Sequence, residues 1–375
     1  MKEIKFGVAI SLSGRYSVQG MESFEGLNLW VKDANRSGGI LVKKNGKRLP
    51  AKLIYYDDES SVENCKNLVE RLIVKDKVDV LIGPYSSGLT LSTAPIADNY
   101  KKILWNHGGS SDEIFEKGFI YIVSIITPAS RYLTDLIDMV KGIDKEAKKI
   151  AIFQAKDSGF STSVAEGARR YGREKGFQVT NLKYQSGTKD FPSIVKQVRG
   201  NNPDIMLGAG RAEDDLILAR QILEHRVSAK AIGLVVAGIK QFKEQLGKDA
   251  ECFLGPSQWE WGIKIKPDFG PTPEEFFKRF KNAYGKEPDY TAAQGYNIGL
   301  IIQWCIEEAG TFDDLSLRET AGRTQFRTFY GDFKIDPVTG NQIGHKMLIV
   351  QWQSGEKFIV YPEEVAERAP IYPKP

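Results

Sequence analysis

The chain has 375 residues, of which 41% are hydrophobic and 27% are charged, and its formal net charge at pH 7 is +4. This length accommodates two domains, and the composition is that of an ordinary globular protein. The small net charge and the absence of a basic block argue against nucleic-acid binding. No apolar run approaches the ~18 residues expected of a membrane span.

Cysteine and histidine are too few and too scattered to suggest a metal site. Cys65, Cys252 and Cys305 lack metal-ligand spacing, and their odd number excludes complete internal pairing. Three histidines in the whole chain argue against a multi-histidine centre. We therefore predict no metal and no cofactor, and we expect Cys305, which lies in an apolar run, to be buried.

Short apolar runs alternate with amphipathic segments over most of the chain. In the first part the pattern predicts strands over 6–10, 53–56, 78–82 and 103–105, and helices over 24–34, 62–74 and 89–100. Asn45-Gly46 predicts a β-hairpin turn with solvated lysines around it. Repeated strand–helix units of this kind predict a parallel sheet covered by helices on both faces.

A second series of the same kind begins after residue 129. It predicts a helix to residue 140, then strands over 150–153, 179–184, 205–207 and 231–235, with helices over 163–175, 193–198 and 214–224. This alternation of strands and helices stops at 253–262, which is predicted to be an irregular aromatic stretch. Helices over 274–284 and 292–309 follow, and the C-terminal part is predicted to form strands over 331–335, 346–353 and 358–361.

Two glycine- and serine-rich segments follow neighbouring predicted strands. Gly-Pro-Tyr-Ser-Ser-Gly occupies residues 83–88, and Gly-Gly-Ser-Ser-Asp occupies residues 108–112. Each precedes a predicted helix or helical turn, where unpaired N–H groups and a positive dipole end attract anions. Together they predict a cleft that holds one small anionic group, and a carboxylate is the natural candidate.

Several segments in this order resemble the periplasmic solute-binding proteins of ABC importers, of the branched-chain amino-acid (leucine/isoleucine/valine) type. The resemblance covers nearly the whole chain. It is carried by FGVAISLSG at 6–14, VKDAN at 31–35, YYDD at 55–58, IGPYSS at 82–87, FKNAYG at 280–285, QGYN at 294–297 and GDFKID at 331–336.

The resemblance implies an α/β fold of two doubly wound lobes, with a ligand cleft between them, three hinge crossovers and closure of the lobes on the ligand. Lobe one would comprise residues 1–125 and 255–333, and lobe two residues 126–254 and 334–375. It also implies ligand contacts from the hydroxyl and N–H of Ser87, the carbonyl of Gly108, and the hydroxyl and N–H of Ser110. Ser86 adjoins these residues, and plain N-capping is the structural alternative for both Ser87 and Ser110.

At other positions of the family's ligand site, this sequence matches the family in part and departs from it in part. Gln19 lies in the first strand–helix loop, which rims the cleft in this family. Phe160 matches a family tyrosine; it would either stack on the ligand or form a simple hydrophobic contact. The acidic residue that pairs with a substrate ammonium is missing from residues 233–236. Either Glu213 or Asp214 supplies that charge, or the ligand lacks an amine. Arg211 would then pair with an acid group or form a surface salt bridge.

No enzyme motif accompanies this cleft. The segment 14–20 has the wrong spacing for a dinucleotide-binding loop, no phosphate-binding loop is present, and residues 86–87 do not form a nucleophile elbow.

We therefore predict a non-enzymatic, monomeric solute-binding protein whose partners are a small carboxylate and ABC permease subunits. A sensory or regulatory protein of the same fold is the alternative. The expected location is periplasmic or extracellular, free or membrane-tethered. No signal peptide follows Met1, but a mature exported protein without its leader would look the same.

Overall fold

The chain forms two compact units. Unit 1 comprises Met1–Thr127 and Lys264–Lys346, and unit 2 comprises Pro128–Ile263 and Met347–Pro375. Within these bounds, the computed structural model describes residues 3–188 and 191–375. The chain therefore passes from one unit to the other three times.

The elements of the first 127 residues follow the predicted alternation. The strands are β1 (Ile4–Ile10), β2 (Ile40–Val42), β3 (Lys47–Leu49), β4 (Ala51–Asp57), β5 (Val80–Ile82), β6 (Leu104–Asn106) and β7 (Ile122–Ser124). The helices are α1 (Ser17–Arg36), α2 (Val62–Val74), α3 (Ser87–Asn99) and α4 (Glu113–Glu116). β2 and β3 form the predicted hairpin around Gly46, whose φ is +60°.

The remaining elements are divided between the two units. From residue 128 to 263 they are α5 (Thr134–Ile143), β8 (Lys149–Ala155), α6 (Gly159–Glu174), β9 (Gln178–Tyr184), α7 (Pro192–Asn201), β10 (Ile205–Ala209), α8 (Ala212–Glu224), β11 (Ala231–Leu234), α9 (Lys240–Leu246) and β12 (Leu254–Ser257). After residue 263 they are α10 (Pro273–Tyr284), α11 (Tyr290–Ala309), α12 (Asp314–Arg323), β13 (Phe326–Thr328), β14 (Gly331–Phe333), β15 (Leu348–Gln353) and β16 (Glu356–Tyr361).

Unit 1 is built on a parallel sheet with the strand order β4-β1-β5-β6-β7. Its central strand β5 is buried along its whole length, as expected for a strand covered on both faces. The unit also contains α10, α11 and α12, which come from the second chain segment. Thr272 and Glu275 form a capping box at the start of α10, and Gly285 ends this helix in the left-handed conformation.

Unit 2 is built on a seven-stranded sheet with the order β16-β15-β12-β11-β10-β8-β9. The strands from β12 to β9 pair in parallel, whereas β15 and β16 are antiparallel additions from the C-terminal segment. Two apolar clusters cover this sheet. The α/β fold class, with two units on largely parallel sheets, confirms the prediction from the sequence.

The unit bounds differ from the predicted lobe bounds at all three crossovers, by two residues at the first and by more at the other two. The sequence predicts an irregular aromatic stretch over 253–262, and the segment Leu-Gly-Pro-Ser within it has few strand-forming residues. In the structure this segment is β12, which pairs with β11 and β15, so unit 2 extends to residue 263. Residues 334–346 remain in unit 1, where the Gln342 side chain donates to the carbonyl of Ile125.

Two glycines allow α1 and α11 to pack closely in unit 1. A Cβ atom on Gly26 would lie 1.9 Å from the carbonyl oxygen of Ala292, and one on Gly295 would lie 1.9 Å from the carbonyl oxygen of Ser23. Both neighbours are backbone atoms, which cannot rotate away. The two helices must therefore separate if either glycine gains a side chain.

We predict that Gly295→Ala lowers the free energy of unfolding by at least ~2 kcal/mol, the range for overpacked cores. Urea unfolding measures the change. Gly142→Ala is the control, because Gly142 lies inside α5 with no neighbouring atom within 4 Å of its Cβ position, and alanine favours helix there. Equal stability changes in the two variants would contradict the packing argument.

Candidate functional site

The strands β5 and β6 end side by side and release two loops in the same direction. Ile82 lies opposite Trp105 in their parallel register, and the Gly83 N–H donates to the Trp105 carbonyl at 2.8 Å. Beyond the strands, Tyr85 forms a parallel bridge with Gly108. We call residues 83–88 the first serine loop and residues 108–112 the second serine loop.

The two loops meet at the Ser87 hydroxyl. Its oxygen accepts hydrogen bonds from the Ser110 N–H at 3.1 Å and the Ser111 N–H at 3.0 Å. The Ser86 N–H donates to the Gly108 carbonyl at 3.2 Å, which leaves that oxygen a second lone pair. Four of the predicted site residues are therefore in one place.

The Ser110 side chain is only 4% exposed. Among residues 3–188 and 191–375, its hydroxyl makes no hydrogen bond. A hydroxyl without a partner in a site of N–H and O–H donors is suited to bind an added acceptor.

Helix α3 contributes further donors to this site. Ser86 is its N-cap, and the Ser86 hydroxyl accepts from the Leu89 N–H at 3.4 Å. The N–H groups of Ser87 and Gly88 come before the first intrahelical hydrogen bond, so they have no carbonyl partner within the helix. The 13-residue helix also places its positive dipole end here.

Ser86 holds a backbone conformation that L-residues rarely adopt, with φ +96° and ψ 147°. This region is essentially restricted to glycine, and a non-glycine residue in it costs about 1–3 kcal/mol. The serine is held there by its pairing with Gly108 and by its role as the cap of α3. The strain therefore lies within the candidate site.

The second serine loop is followed by a helical turn, one of the two forms that the sequence predicts. This turn is α4, which has only four residues, and its N-cap Asp112 makes no capping hydrogen bond with its side chain. A single turn supplies less dipole than the 13-residue helix α3. The loop is held instead by the buried side chain of Asn106, which the sequence analysis missed.

His107 is 1% exposed and lies between β6 and the second serine loop. Its Nδ1 lies 3.1 Å from the hydroxyl oxygen of Ser23, on α1. Burial lowers the pKa of His107 to about 4, although hydrogen bonding with the backbone of Gly83 and with its own backbone opposes this shift. The imidazole is therefore neutral at physiological pH.

Gln19 and Tyr16 lie at the start of α1, and both side chains are half-buried. The Tyr16 ring stands edge-on to the Tyr85 ring of the first serine loop, with centroids 6.1 Å apart. This contact places the first turn of α1, which carries Gln19, beside the serine loops.

The two predicted site residues of unit 2 lie at the starts of different helices. Phe160 lies in the first turn of α6 and packs edge-on against Tyr132, with ring centroids 5.4 Å apart. Arg211 is the exposed N-cap of α8. Both positions adjoin the carboxyl ends of parallel strands, β8 and β10 respectively, where open α/β sheets bind ligands.

The acidic residues considered for an ammonium partner have different environments. Glu213 is exposed, whereas Asp214 is 2% exposed and accepts from the Gly187 N–H at 2.7 Å. Asp215, which follows Asp214 directly in the chain, is fully buried. Burial raises the pKa of Asp215 to about 8, and the charge of Asp214 raises it further, while backbone N–H groups oppose the rise.

The structure also bears on two other functions, metal binding and membrane insertion. Within residues 3–188 and 191–375, no three His, Cys, Asp or Glu side chains are grouped so as to hold a metal ion. In the same residues, no helix has both the length and the apolar character to cross a membrane. The three cysteines are free and buried, which confirms the prediction for Cys305.

Comparison with known families agrees with this geometry. The model of the periplasmic binding protein family matches residues 3–357. The chain belongs to this family. Its members are binding proteins, in agreement with the prediction of a non-enzymatic protein.

Individual members of the family resemble the chain over nearly its whole length. A Leu/Ile/Val-binding protein homolog of Brucella abortus is 25% identical over 97% of this chain and 92% of the relative. The leucine-binding protein LivK of Thermotoga maritima has a TM-score of 0.80 at 22% identity, over 94% of this chain and 97% of LivK. A solute-binding protein of Rhodopseudomonas palustris in complex with 3,4-dihydroxybenzoic acid has a TM-score of 0.75 at 20% identity, over 95% of each chain.

We predict opposite effects on stability for two substitutions of Ser86 in this periplasmic binding protein. Ser86→Gly removes the strain and, as an N-cap, costs only a few tenths of a kcal/mol, so the variant should be more stable than the wild type by about 1 kcal/mol. Ser86→Ala keeps the strain and loses the cap, and should be less stable by about 1 kcal/mol. Urea unfolding at neutral pH distinguishes the two variants. A Gly variant no more stable than the Ala variant would contradict the strain assigned to the Ser86 backbone.

We also predict that His107 makes stability depend on pH. Its folded pKa lies below the unfolded value of ~6.5, so the unfolded state binds more protons at acidic pH. The contribution of His107 to the free energy of unfolding is complete above pH ~6.5 and decreases as pH falls toward 4, by up to ~3 kcal/mol.

The test compares urea unfolding of the wild type and His107→Gln at several pH values. The difference in unfolding free energy between the two proteins should shrink as the pH is lowered from about 7 to 4. A difference that stays constant over this range would contradict the assignment.

Proposed function

We propose that the protein is the solute-binding component of an ABC importer and binds a small carboxylate at the two serine loops. It would deliver this ligand to permease subunits, acting as a monomer in the periplasm or outside the cell, either free or tethered to the membrane. The family membership supports a binding role. The ligand class is argued from the site itself.

One observation carries the proposal: the donors of both serine loops converge around the Ser87 hydroxyl. They are the N–H groups of Ser87 and Gly88, the N–H groups of Ser110 and Ser111, and the hydroxyls of Ser87 and Ser110. A carboxylate has two oxygens that can accept several such hydrogen bonds at once. On binding, the carboxylate would replace the Ser87 oxygen as acceptor for the loop amides, freeing the Ser87 hydroxyl to donate.

The remaining site residues belong to the proposal with different roles. Gly108 would offer its carbonyl, Ser86 would cap α3, and Gln19 would contact the ligand from the first turn of α1. From unit 2, Phe160 would stack on the ligand and Arg211 would pair with an acid group. Closure of the lobes on the ligand would follow, because a ligand that contacts both lobes only in the closed state shifts the population toward it.

A specific observation favours a carboxylate without an amine over an α-amino acid. A buried ammonium needs an anionic partner. With a pKa of about 8, Asp215 is mostly protonated at pH 7. One carboxylate oxygen of Asp214 accepts from the Gly187 N–H, which leaves only its other oxygen for an ammonium. Both ligand kinds occur among similar structures, one containing isoleucine and others benzoate or 4-hydroxybenzoate.

Mass spectrometry of the small molecule released from the purified protein, together with a melting-shift panel, tests the ligand class. The panel contains L-leucine, L-isoleucine, benzoate and 4-hydroxybenzoate. We expect an aromatic acid to raise the melting temperature more than either amino acid does. An amino acid as the bound or stabilising ligand would contradict the preference for an amine-free ligand, and the absence of any carboxylate would contradict the proposal.

We predict that the double substitution Ser87→Ala, Ser110→Ala weakens binding of the best panel ligand by ~100-fold. It removes two hydroxyl hydrogen bonds to a charged group, each contributing ~1.5 kcal/mol or more. Calorimetry measures the dissociation constant. Ser92→Ala is the control, because Ser92 lies on the same helix and, among the residues that the structure describes, its side chain bonds only to the Leu89 carbonyl. Unchanged affinity in the double variant would exclude this carboxylate site.

A further inference from the structure

The side chain of Asn106 lies fully buried under the second serine loop. Its exposure is 0%, so it has no surface to offer a ligand. Its amide nitrogen donates to the Gly109 carbonyl at 2.6 Å and to the Ser124 hydroxyl at 3.2 Å. Its amide oxygen accepts from the N–H groups of Gly109 at 2.8 Å and Gly108 at 3.3 Å.

These four hydrogen bonds determine which groups of the loop remain for other partners. The N–H and the carbonyl of Gly109 are both used by Asn106, and the Gly108 N–H also points toward it. The next two N–H groups, of Ser110 and Ser111, are therefore the first in the loop that point elsewhere. Both donate to the Ser87 hydroxyl.

The loop needs such a clamp because its two glycines restrict the backbone very little by themselves. Neither can be replaced by a stiffer residue. A Cβ on Gly108 would lie 2.8 Å from the Tyr85 Cα, and one on Gly109 would lie 2.5 Å from the Thr90 hydroxyl oxygen. The order in the loop must therefore come from outside the glycines.

The helix that follows the loop cannot supply this order. The helix α4 contains one turn, whereas α3 after the first serine loop contains 13 residues. An isolated turn is costly to form and fixes few N–H groups. The Asn106 side chain orders the loop instead. Its amide oxygen accepts from the N–H group two residues on, as in an Asx turn, and from the N–H group after that.

Asparagine combines an acceptor and a donor in a way that its close analogues do not. An ionised aspartate accepts only, so it could not donate to the Gly109 carbonyl, and it would place a negative charge under an anion site. Alanine would leave the N–H and carbonyl of Gly109 without partners in a buried position.

We propose that Asn106 is a positioning residue, whose amide holds the Ser110 and Ser111 N–H groups in the arrangement that binds the ligand's carboxylate. This inference rests on the proposed function for the ligand. The ordering of the loop can also be measured without ligand.

The test compares Asn106→Ala and Asn106→Asp with the control Asn297→Ala. Asn297 is a buried asparagine of unit 1 on α11, and it accepts from the Thr328 hydroxyl at 2.6 Å. Urea unfolding records the stability of each variant. Hydrogen exchange of the amides in residues 106–112, followed by mass spectrometry, records the order of the loop. Calorimetry with benzoate and with L-leucine records affinity.

Asn106→Ala should exchange the loop amides at least ~10-fold faster and weaken binding at least ~10-fold, whereas Asn297→Ala should alter neither beyond about twofold. Asn106→Asp should bind best at about pH 5.5, where a buried carboxyl is protonated and can donate, and weaken toward pH 8. The wild type should vary less over this range.

Three results would overturn the inference. They are unchanged exchange in Asn106→Ala, unchanged affinity in Asn106→Ala where the wild type binds, and an equal loss of affinity in Asn297→Ala. A wild type that binds neither probe would instead speak against the proposed ligand class, and the exchange measurement would still decide whether Asn106 orders the loop.

Discussion

The parallel pairing of β5 with β6 is the constraint on which the candidate site depends. It brings the ends of two strands, more than twenty residues apart in the chain, to the same level of the sheet. The pairing continues past the strands, since Tyr85 bridges Gly108 and the Ser86 N–H reaches the Gly108 carbonyl. The strained backbone of Ser86 and the contact between Ser87 and the second serine loop both depend on this register of β5 and β6.

The serine loops offer partial positive charges to an anion. Their donors are backbone N–H groups and hydroxyls, and the adjoining His107 is neutral because burial lowers its pKa. Fixed dipoles need little reorganisation when an anion enters, and they retain their strength where water is excluded. Such a site also imposes shape on its ligand, because each donor has a direction.

The sequence predicted the elements that rest on long patterns, such as the helix Val62–Val74, and the residues that meet at the serine loops. It did not predict β12, because Gly255 and Pro256 hide a strand whose place is set by its neighbours β11 and β15. It also missed Asn106, which looks like the end of a strand until its side-chain bonds are seen. The burial of Asp215 was not predicted, because it depends on tertiary packing around α8.

The division of each unit into separate chain segments has a consequence for how the protein folds. In unit 1, α1 packs on α11, and about 250 residues separate the two helices. In unit 2, β12 pairs with β15, which belongs to the final segment of the chain. Neither core can be completed before most of the polypeptide has been synthesised, so contacts of high sequence separation must form late and slowly. The nascent chain therefore remains open to chaperones for most of its synthesis.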